Sequence, residues 1–251
     1  MDSPPIYAVR RRRRIPPLRK GVYILPNLFT SAGLFSGFYS IICTLNKQYW
    51  YAAVMILVAQ LCDVLDGRIA RLTRSTSSFG VQYDSLADLV AFGVAPGILF
   101  AAQHPEAPGP LRVLLIASVA IAGAWRLARF QSEPPQPEFV GLPITVGGPL
   151  FALAVAGVLR TDLAGALAWG LALSALMASR VPYPRFTTGP LGRISWALAV
   201  VFVLALATDG GLALLAAQAG LAVYVAWGMA RSLGMAGVGG RPATGGRRRG
   251  D

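Results

Sequence analysis

The sequence predicts an all-α integral membrane protein, a polytopic bundle of about eight transmembrane helices. Two observations carry this prediction. Hydrophobic residues make up 55% of the 251 residues, and the mean hydropathy is +0.55, more than a soluble domain of this size usually carries. Apolar stretches long enough to cross a hydrocarbon core of about 30 Å also recur along the chain. A soluble globular domain is therefore excluded.

The sequence contains eight predicted spans. The fifth and seventh are short, and Pro149 lies inside the fifth, so six spans plus a re-entrant pair is the alternative architecture. The eight predicted spans cover residues 24–45, 50–72, 80–103, 111–131, 145–159, 163–180, 193–208 and 211–231.

Basic residues predict the orientation, because an excess of lysine and arginine marks the cytoplasmic side. Of the 23 lysines and arginines, only Lys47, Arg112 and Arg160 are placed outside. A cytoplasmic N-terminus and an even number of spans support each other, and the asymmetry suits a bacterial inner membrane. The arginine run at 10–14 is interpreted as a topology determinant, with binding to anionic lipids as the alternative.

Four aspartates lie inside these apolar stretches. Asp63 and Asp66 fall in the second span, and Asp84 and Asp88 fall in the third. A carboxylate in hydrocarbon costs roughly 2.5 to 3.5 kcal/mol, so four of them indicate function. Because residues three and four apart share a helix face, two neighbouring helices can bring the four carboxylates together, near the cytoplasmic face.

Clustered carboxylates repel one another, and hard divalent cations remove that conflict. Carboxylate oxygens suit Mg²⁺ or Mn²⁺, and two such ions about 3.5 to 4 Å apart form a clamp for phosphoryl displacement. Gly67 and Gly80 let a phosphate or base approach the backbone, and Arg71 is a planar donor for phosphate oxygens. Two alternatives stay open: structural pairing of the acids with Arg68, Arg71 and Arg74, or an ion or proton path in a transporter.

The stretch from Asp63 to Asp88 resembles the signature of the CDP-alcohol phosphatidyltransferases. That signature reads D-x-x-D-G-x-x-A-R-x8-G-x3-D-x3-D, and every position of it is filled. The resemblance implies a membrane enzyme that uses two divalent cations, Mg²⁺ or Mn²⁺, and releases CMP from CDP-diacylglycerol or a related CDP-alcohol. The resemblance implies that four aspartates are metal ligands, namely Asp63, Asp66, Asp84 and Asp88, and that Asp88 is also the general base. It further implies that the nucleotide or pyrophosphate contacts Gly67, Ala70, Arg71 and Gly80.

Segments outside the signature resemble the phosphatidylserine synthase branch of that family. They cover residues 26–30, 126–130, 139–143 and 179–183, and the last is only a partial match because Pro184-Arg185-Phe186 follows it. The resemblance implies transfer of a phosphatidyl group to L-serine. Glycerol 3-phosphate is the alternative acceptor.

These flanking segments supply further candidate site residues. Arg126 and Arg129 share a helix face and suit the lipid phosphate and the serine carboxylate, with ordinary snorkelling at a helix end as the alternative. Asn27 and Thr30 are either nucleotide contacts or helix caps. The loop 139–143 is expected to fold over the site or to be a plain connector. Its Gly141 and Pro143, together with Tyr183, are assigned to lipid-phosphate or serine binding.

The resemblance also implies partners and a domain organisation. The acyl chains are expected to stay among the membrane lipids, no nucleic-acid partner is expected, and the family resemblance implies a homodimer. Residues 1–23 are predicted to be a basic cytoplasmic segment, residues 24–232 a transmembrane catalytic domain, and residues 233–251 a disordered basic tail.

Overall fold

The computed structural model describes residues 24–133, 139–155, 162–183 and 210–232. Within these ranges the chain is helical apart from one short ribbon, so the all-α class is confirmed. The ribbon consists of β1 (Phe139–Val140) and β2 (Pro182–Tyr183). The helices are α1 (Ile24–Leu45), α2 (Tyr49–Leu72), α3 (Ser78–Asp88), α4 (Ala95–Gln103), α5 (Gly109–Ser132), α6 (Ile144–Leu153), α7 (Leu163–Ala178) and α8 (Gly210–Ser232).

A π-helical segment, Leu89–Val94, joins α3 to α4 without a break. Residues 78–103 therefore form one continuous helix of 26 residues. Counted in this way, the described residues form seven helices. Three of these are long and apolar enough to cross a membrane, namely Ile24–Leu45, Ser78–Gln103 and Gly109–Ser132.

Helix α2 is as long as a span but carries the acidic residues Asp63 and Asp66 within its 24 residues. Helices α6 and α7 are apolar and shorter, at 10 and 16 residues. The predicted span 193–208 lies outside the described residues, as do the predicted terminal segments 1–23 and 233–251. The count of about eight transmembrane helices is thus not established.

Apart from the end of α6, after which residues 156–161 are not described, the helix boundaries agree with the predicted spans to within two residues. Inside the first four spans the differences of two residues are at the start of α5, at Gly109 rather than residue 111, and at the start of α3, at Ser78 rather than residue 80. Ser77 causes this earlier start, because its hydroxyl oxygen accepts a hydrogen bond of 3.0 Å from the Gly80 N–H. A serine at this position satisfies a donor that the first helical turn leaves unpaired.

Small residues let the first helices approach closely. At Gly37 an added Cβ would lie 2.9 Å from the Ala91 Cα, so only glycine permits this contact with the π-helical segment. Gly33, one turn earlier, packs against Ala59 and Cys62 of α2. Membrane helices commonly pack through small residues spaced in this way. Helix α1 is thereby held against both helices that carry the aspartates.

Hydrogen bonds between distant residues show which helix ends lie together. Tyr49 at the start of α2 donates to the Ala102 carbonyl near the end of α4, at 3.1 Å. At the opposite end, Gln131 of α5 donates to Ser85 of α3, at 2.6 Å. Helices α1 and α2, the continuous helix 78–103 and helix α5 therefore alternate in direction, with the turns 73–77 and 139–143 at the same end of the bundle.

The loop 139–143 is attached to the end of α7. Phe139 pairs with Tyr183 in the antiparallel ribbon, the Gly141 N–H donates to the Val181 carbonyl at 2.9 Å, and the Leu142 N–H donates to the Leu176 carbonyl at 3.1 Å. Gly141 has a φ of +79°, which glycine adopts without strain. This loop is therefore an ordered connection between α5 and α6.

Candidate active site

Helices α2 and α3 bring their aspartates together, as the spacing predicts. Carboxylate oxygens of Asp63, Asp66 and Asp84 all lie within 4.8 Å of one another. At 1.5 Å per residue, the four aspartates lie about 9 to 15 Å from the ends of α2 and α3 that meet at the turn 73–77. The cluster is therefore inside the bundle but near one end of it.

A cleft of about 190 Å³, counting its open mouth, contains this cluster. Its polar side consists of the four aspartates and Thr30, and its apolar side of Gly33, Ala59, Ala87, Ala91 and Phe92. Asp88 belongs to the cleft but not to the group of three carboxylates within 4.8 Å. Its side chain is buried, and it interacts electrostatically with the other three aspartates and with Arg126.

The π-helical segment begins directly after Asp88. Such segments are rare and occur frequently at functional sites, because the wider turn changes the direction in which the following side chains point. Here the segment contributes Ala91 and Phe92 to the apolar wall of the cleft. Along this helix, the π-helical segment thus begins where the side chains that line the cleft change from acidic to apolar.

The group of three carboxylates fits a divalent cation. All donors are oxygen atoms, the kind that Mg²⁺ and Mn²⁺ prefer. No ion pair joins any of the four aspartates to a lysine or arginine among the described residues, so structural pairing of the acids with arginines finds no support there. Carboxylates without an ion-pair partner are costly inside a membrane protein. A bound cation would remove both the repulsion and the desolvation cost.

Thr30 of α1 holds one of the three carboxylates. Its hydroxyl lies 2.6 Å from Asp66 Oδ2 and 3.2 Å from the Pro26 carbonyl oxygen. A hydroxyl has one proton, and the shorter contact, to a carboxylate, is the stronger one. Thr30 is thus positioned as a support for Asp66.

The predicted nucleotide contacts lie around the mouth formed by α1, α2 and α3. The Arg71 guanidinium folds back over Gly67, where an added Cβ would lie 3.4 Å from Arg71 Nη1. An added Cβ at Gly80 would lie 3.4 Å from Asn27 Oδ1, so Gly80 leaves room for the α1 side chain beside α3. Ala70 is partly buried in the last turns of α2. The structure therefore brings these five residues to the same end of the bundle as the aspartates.

Arg126 is a buried cation beside the acidic cluster. It is 6% exposed, and its Nε has no hydrogen-bond partner among the described residues. Its guanidinium carbon lies 5.9 Å from the ring centroid of Phe130 and 5.7 Å from that of Phe139. It interacts electrostatically with Asp88 and Asp63. Burial beside aromatic rings differs from snorkelling towards water, and it suits an anion-binding role.

Arg129 occupies a different environment one turn later. Its Nη2 donates to the carbonyl oxygens of Met177, Ala178 and Ser179 at 3.2, 3.4 and 3.2 Å. The last carbonyls of a helix lack partners within the helix, and a cation there is favourable. Arg129 therefore caps the C-terminus of α7. The two arginines, predicted to bind the lipid phosphate and the serine carboxylate, thus have distinct surroundings.

The remaining predicted residues lie around this capped helix end rather than along the cleft. An added Cβ at Gly141 would lie 3.2 Å from Arg129 Nη2. Pro143 precedes α6, and its carbonyl accepts from the N–H groups of Val146 and Gly147 at 3.0 and 2.9 Å. Tyr183 is 0% exposed, and its hydroxyl has no partner among the described residues.

One residue near Arg126 has no counterpart among the sequence predictions. Tyr224 of α8 is 7% exposed, its ring lies 5.5 Å from that of Tyr183, and it interacts electrostatically with Arg126. The only sequence signal is a tyrosine four residues before Gly228 in an otherwise apolar helix. That pattern is too common to predict a site.

Comparison with known proteins agrees with this geometry. The chain is 35% identical over 196 residues to the CDP-diacylglycerol–serine O-phosphatidyltransferase of Helicobacter pylori strain 26695, covering 74% of this chain and 79% of that protein. It is 32% identical over 164 residues to the archaetidylserine synthase of Methanothermobacter thermautotrophicus, covering 64% and 70%. It is 29% identical over 163 residues to the CDP-diacylglycerol–serine O-phosphatidyltransferase of Bacillus subtilis, covering 64% and 90%.

The acidic cluster lies inside the region matched by a family model. That region spans residues 23–181, and the model describes the CDP-alcohol phosphatidyltransferases. It includes α1 to α7 and the four aspartates, and it ends just before β2. The match covers more than half of the chain, so this membrane protein belongs to the CDP-alcohol phosphatidyltransferase family.

Proposed function

We propose that this enzyme transfers a phosphatidyl group from CDP-diacylglycerol to L-serine and releases CMP, as a phosphatidylserine synthase. The observation that carries this proposal is the presence of three carboxylates within 4.8 Å of one another together with a buried guanidinium, Arg126, that interacts electrostatically with Asp88 and Asp63. The first group suits a metal-bound pyrophosphate, and the second suits a small anionic acceptor. The names of the relatives support the same reaction.

Asp63, Asp66 and Asp84 would hold two divalent cations, Mg²⁺ or Mn²⁺, with Asp88 as a further ligand. When bound, the cations would neutralise charge on the pyrophosphate as CMP departs, which is the lead contribution in phosphoryl transfer. The hydrogen bond from Thr30 keeps Asp66 oriented for this task. The residues at the mouth, namely Asn27, Gly67, Ala70, Arg71 and Gly80, would contact the cytidine and the pyrophosphate.

Asp88 acts as the general base. The serine hydroxyl is a weak nucleophile at neutral pH, so its proton must leave as the oxygen attacks. The new bond joins the serine oxygen to the phosphorus of the diacylglycerol phosphate, the bond from that phosphorus to CMP breaks, and the proton passes to the Asp88 carboxylate. Asp88 lines the same cleft as the three-carboxylate group and interacts electrostatically with Arg126, which suits this role.

Serine is favoured over glycerol 3-phosphate by the different environments of the two arginines. Arg129 uses Nη2 on three carbonyl oxygens at the end of α7, whereas Arg126 Nε has no partner among the described residues. Of this pair, Arg126 is therefore the one with a buried donor that can bind an acceptor. One guanidinium matches a singly charged carboxylate, whereas a phosphate monoester carries close to two negative charges at neutral pH. We therefore assign the acceptor carboxylate to Arg126 and a structural role to Arg129.

The reaction would take place at the inner leaflet of a bacterial inner membrane. The aspartates lie inside the bundle near the end that the distribution of basic residues assigns to the cytoplasm. A lipid could then enter between helices while a water-soluble nucleotide and serine arrive from the cytoplasm. The domain limits 24–232 and a homodimeric state belong to the same proposal.

A competition assay tests the proposed acceptor. Purified protein with Mn²⁺ and CDP-diacylglycerol is offered serine, glycerol 3-phosphate and inositol phosphate together, and the lipid product is identified by mass. Phosphatidylserine as the main product is expected. Phosphatidylglycerol phosphate as the main product would overturn serine as acceptor, and absence of CMP release in detergent, where no gradient exists, would favour a transporter instead.

A further inference from the structure

Helix α8 brings a tyrosine to the acceptor side of the site, although it lies beyond the region that matches the family model. Tyr224 is buried, and its ring centroid is 5.5 Å from that of Tyr183. One turn later, Gly228 lies so close to the Tyr183 ring that a Cβ there would collide with it. Residues four apart share a helix face, so this face of α8 is the one that docks on β2.

The ribbon connects this contact to Arg126. Phe139 lies directly opposite Tyr183 in the antiparallel pair, and directly opposed side chains lie on the same face of a ribbon. The Arg126 guanidinium carbon is 5.7 Å from the Phe139 ring centroid. Arg126 also interacts electrostatically with Tyr224. The Arg126 guanidinium therefore belongs to a cluster with aromatic side chains from β1, β2 and α8.

Two buried donors in this cluster have no hydrogen-bond partner among the described residues. They are the Tyr183 hydroxyl, on a residue that is 0% exposed, and Arg126 Nε, on a residue that is 6% exposed. Buried polar groups are nearly always hydrogen-bonded, so each exception needs an explanation. Two such donors in one cluster, whose Arg126 interacts electrostatically with Asp88, indicate that a ligand with acceptor atoms completes it.

We propose that Arg126, Tyr183 and Tyr224 together bind the carboxylate of the acceptor amino acid, and that Tyr224 makes α8 a specificity-determining part of the site. This inference rests on the proposed function. A carboxylate has two oxygens and about four acceptor positions, which a guanidinium and phenol hydroxyls can fill. The phenols supply donors without adding positive charge, so the site keeps the single positive charge of Arg126, which matches a singly charged carboxylate.

Steady-state kinetics of Tyr224→Phe tests the inference. The variant keeps the ring that packs on Tyr183 and removes only the hydroxyl. The KM for serine should rise by about tenfold, as expected for one lost hydrogen bond to a charged group, while the KM for CDP-diacylglycerol stays unchanged. Val223→Ala is the matched control, because Val223 is the preceding residue and is 68% exposed. Its KM values and the melting temperatures of both variants should match the parent.

Serinamide separates binding of the carboxylate from a general packing defect. The parent enzyme should use serinamide poorly, since a site built to bind a charged group rejects an analogue that lacks it. In Tyr224→Phe the ratio of serine to serinamide turnover should fall. An unchanged serine KM and ratio in an active Tyr224→Phe variant would overturn the role of Tyr224. Failure of the parent enzyme to make phosphatidylserine would instead overturn the proposed function.

Discussion

A hydrogen bond of 2.6 Å joins Thr30 of α1 to Asp66 of α2 across 36 residues of sequence. It links α1, a helix without acidic residues, to the group of three carboxylates. Partners of metal-ligating carboxylates orient them, and their loss typically lowers metal affinity or activity by about 10- to 100-fold. The contact therefore makes α1 part of the proposed metal site.

Thr30→Val should weaken metal binding by about 10- to 100-fold, because the variant keeps the side-chain shape and loses the hydroxyl. The measurement is the Mn²⁺ concentration that gives half-maximal activity. Thr30→Ser should stay close to the parent. Thr44→Val is the control, since the buried Thr44 hydroxyl donates to the Ser40 carbonyl of its own helix and not to an aspartate. Equal Mn²⁺ dependence in Thr30→Val and the parent would refute the supporting role.

Asp88→Asn should lower turnover by about 10²- to 10⁴-fold, the usual contribution of a general base. The amide keeps the size of the side chain but accepts no proton. Binding of CDP-diacylglycerol, measured by its protection of the protein against thermal unfolding, should be largely retained. Asp162→Asn is the control, because Asp162 caps α7 through a hydrogen bond that an asparagine also makes. Near-normal CMP release by Asp88→Asn would show that another group takes the proton.

Removal of divalent cations should stop the reaction. Excess chelator is expected to abolish CMP release, and added Mg²⁺ or Mn²⁺ should restore it. Binding should also be visible without turnover, because an ion that binds only the folded protein raises the melting temperature. In Asp84→Asn, most of this cation-dependent rise in melting temperature should be lost. Full activity in excess chelator, or an equal rise in the parent and Asp84→Asn, would contradict the assignment of the three-carboxylate group.

Substitutions of the two arginines of α5 should have different effects on the melting temperature and on the KM for serine. Arg129→Gln removes the cation that caps α7, and hydrogen bonds to charged groups contribute roughly 1.5 to 3 kcal/mol each. The variant should therefore melt at a lower temperature with little change in serine KM once folded. Arg126→Gln should instead raise the serine KM, with a smaller effect on melting. A reversed pattern would mean that Arg129 is the residue that binds the acceptor.

The fold class and the acidic cluster could be predicted because both depend on local patterns. Apolar runs of membrane length specify where helices form, and the boundaries of α1, α2 and α7 follow the predicted spans closely. The spacing of Asp63, Asp66, Asp84 and Asp88 puts each pair on one helix face, and the short turn 73–77 makes the two helices neighbours. Few arrangements of such a helix pair would keep these carboxylates apart.

The surroundings of the two arginines could not be predicted in the same way. Arg126 and Arg129 lie one turn apart, and their spacing indicates a shared face. Only the approach of the α7 C-terminus, about 50 residues later in the chain, gives Arg129 three carbonyl partners. A side chain takes the partners that packing brings within reach, and the helical period of α5 contains no information on α7.

The sequence by itself determined the membrane class, the helix positions and the gathering of four carboxylates, because these follow from hydropathy and from a period of 3.6 residues. The tertiary structure decided which helices support that cluster. In that structure Thr30 donates to Asp66, Arg129 of α5 donates to a carbonyl at the end of α7, and Tyr224 of α8 packs against Tyr183. These contacts join residues 36 to 48 positions apart, and interlocking of side chains between helices, not local pattern, determines them.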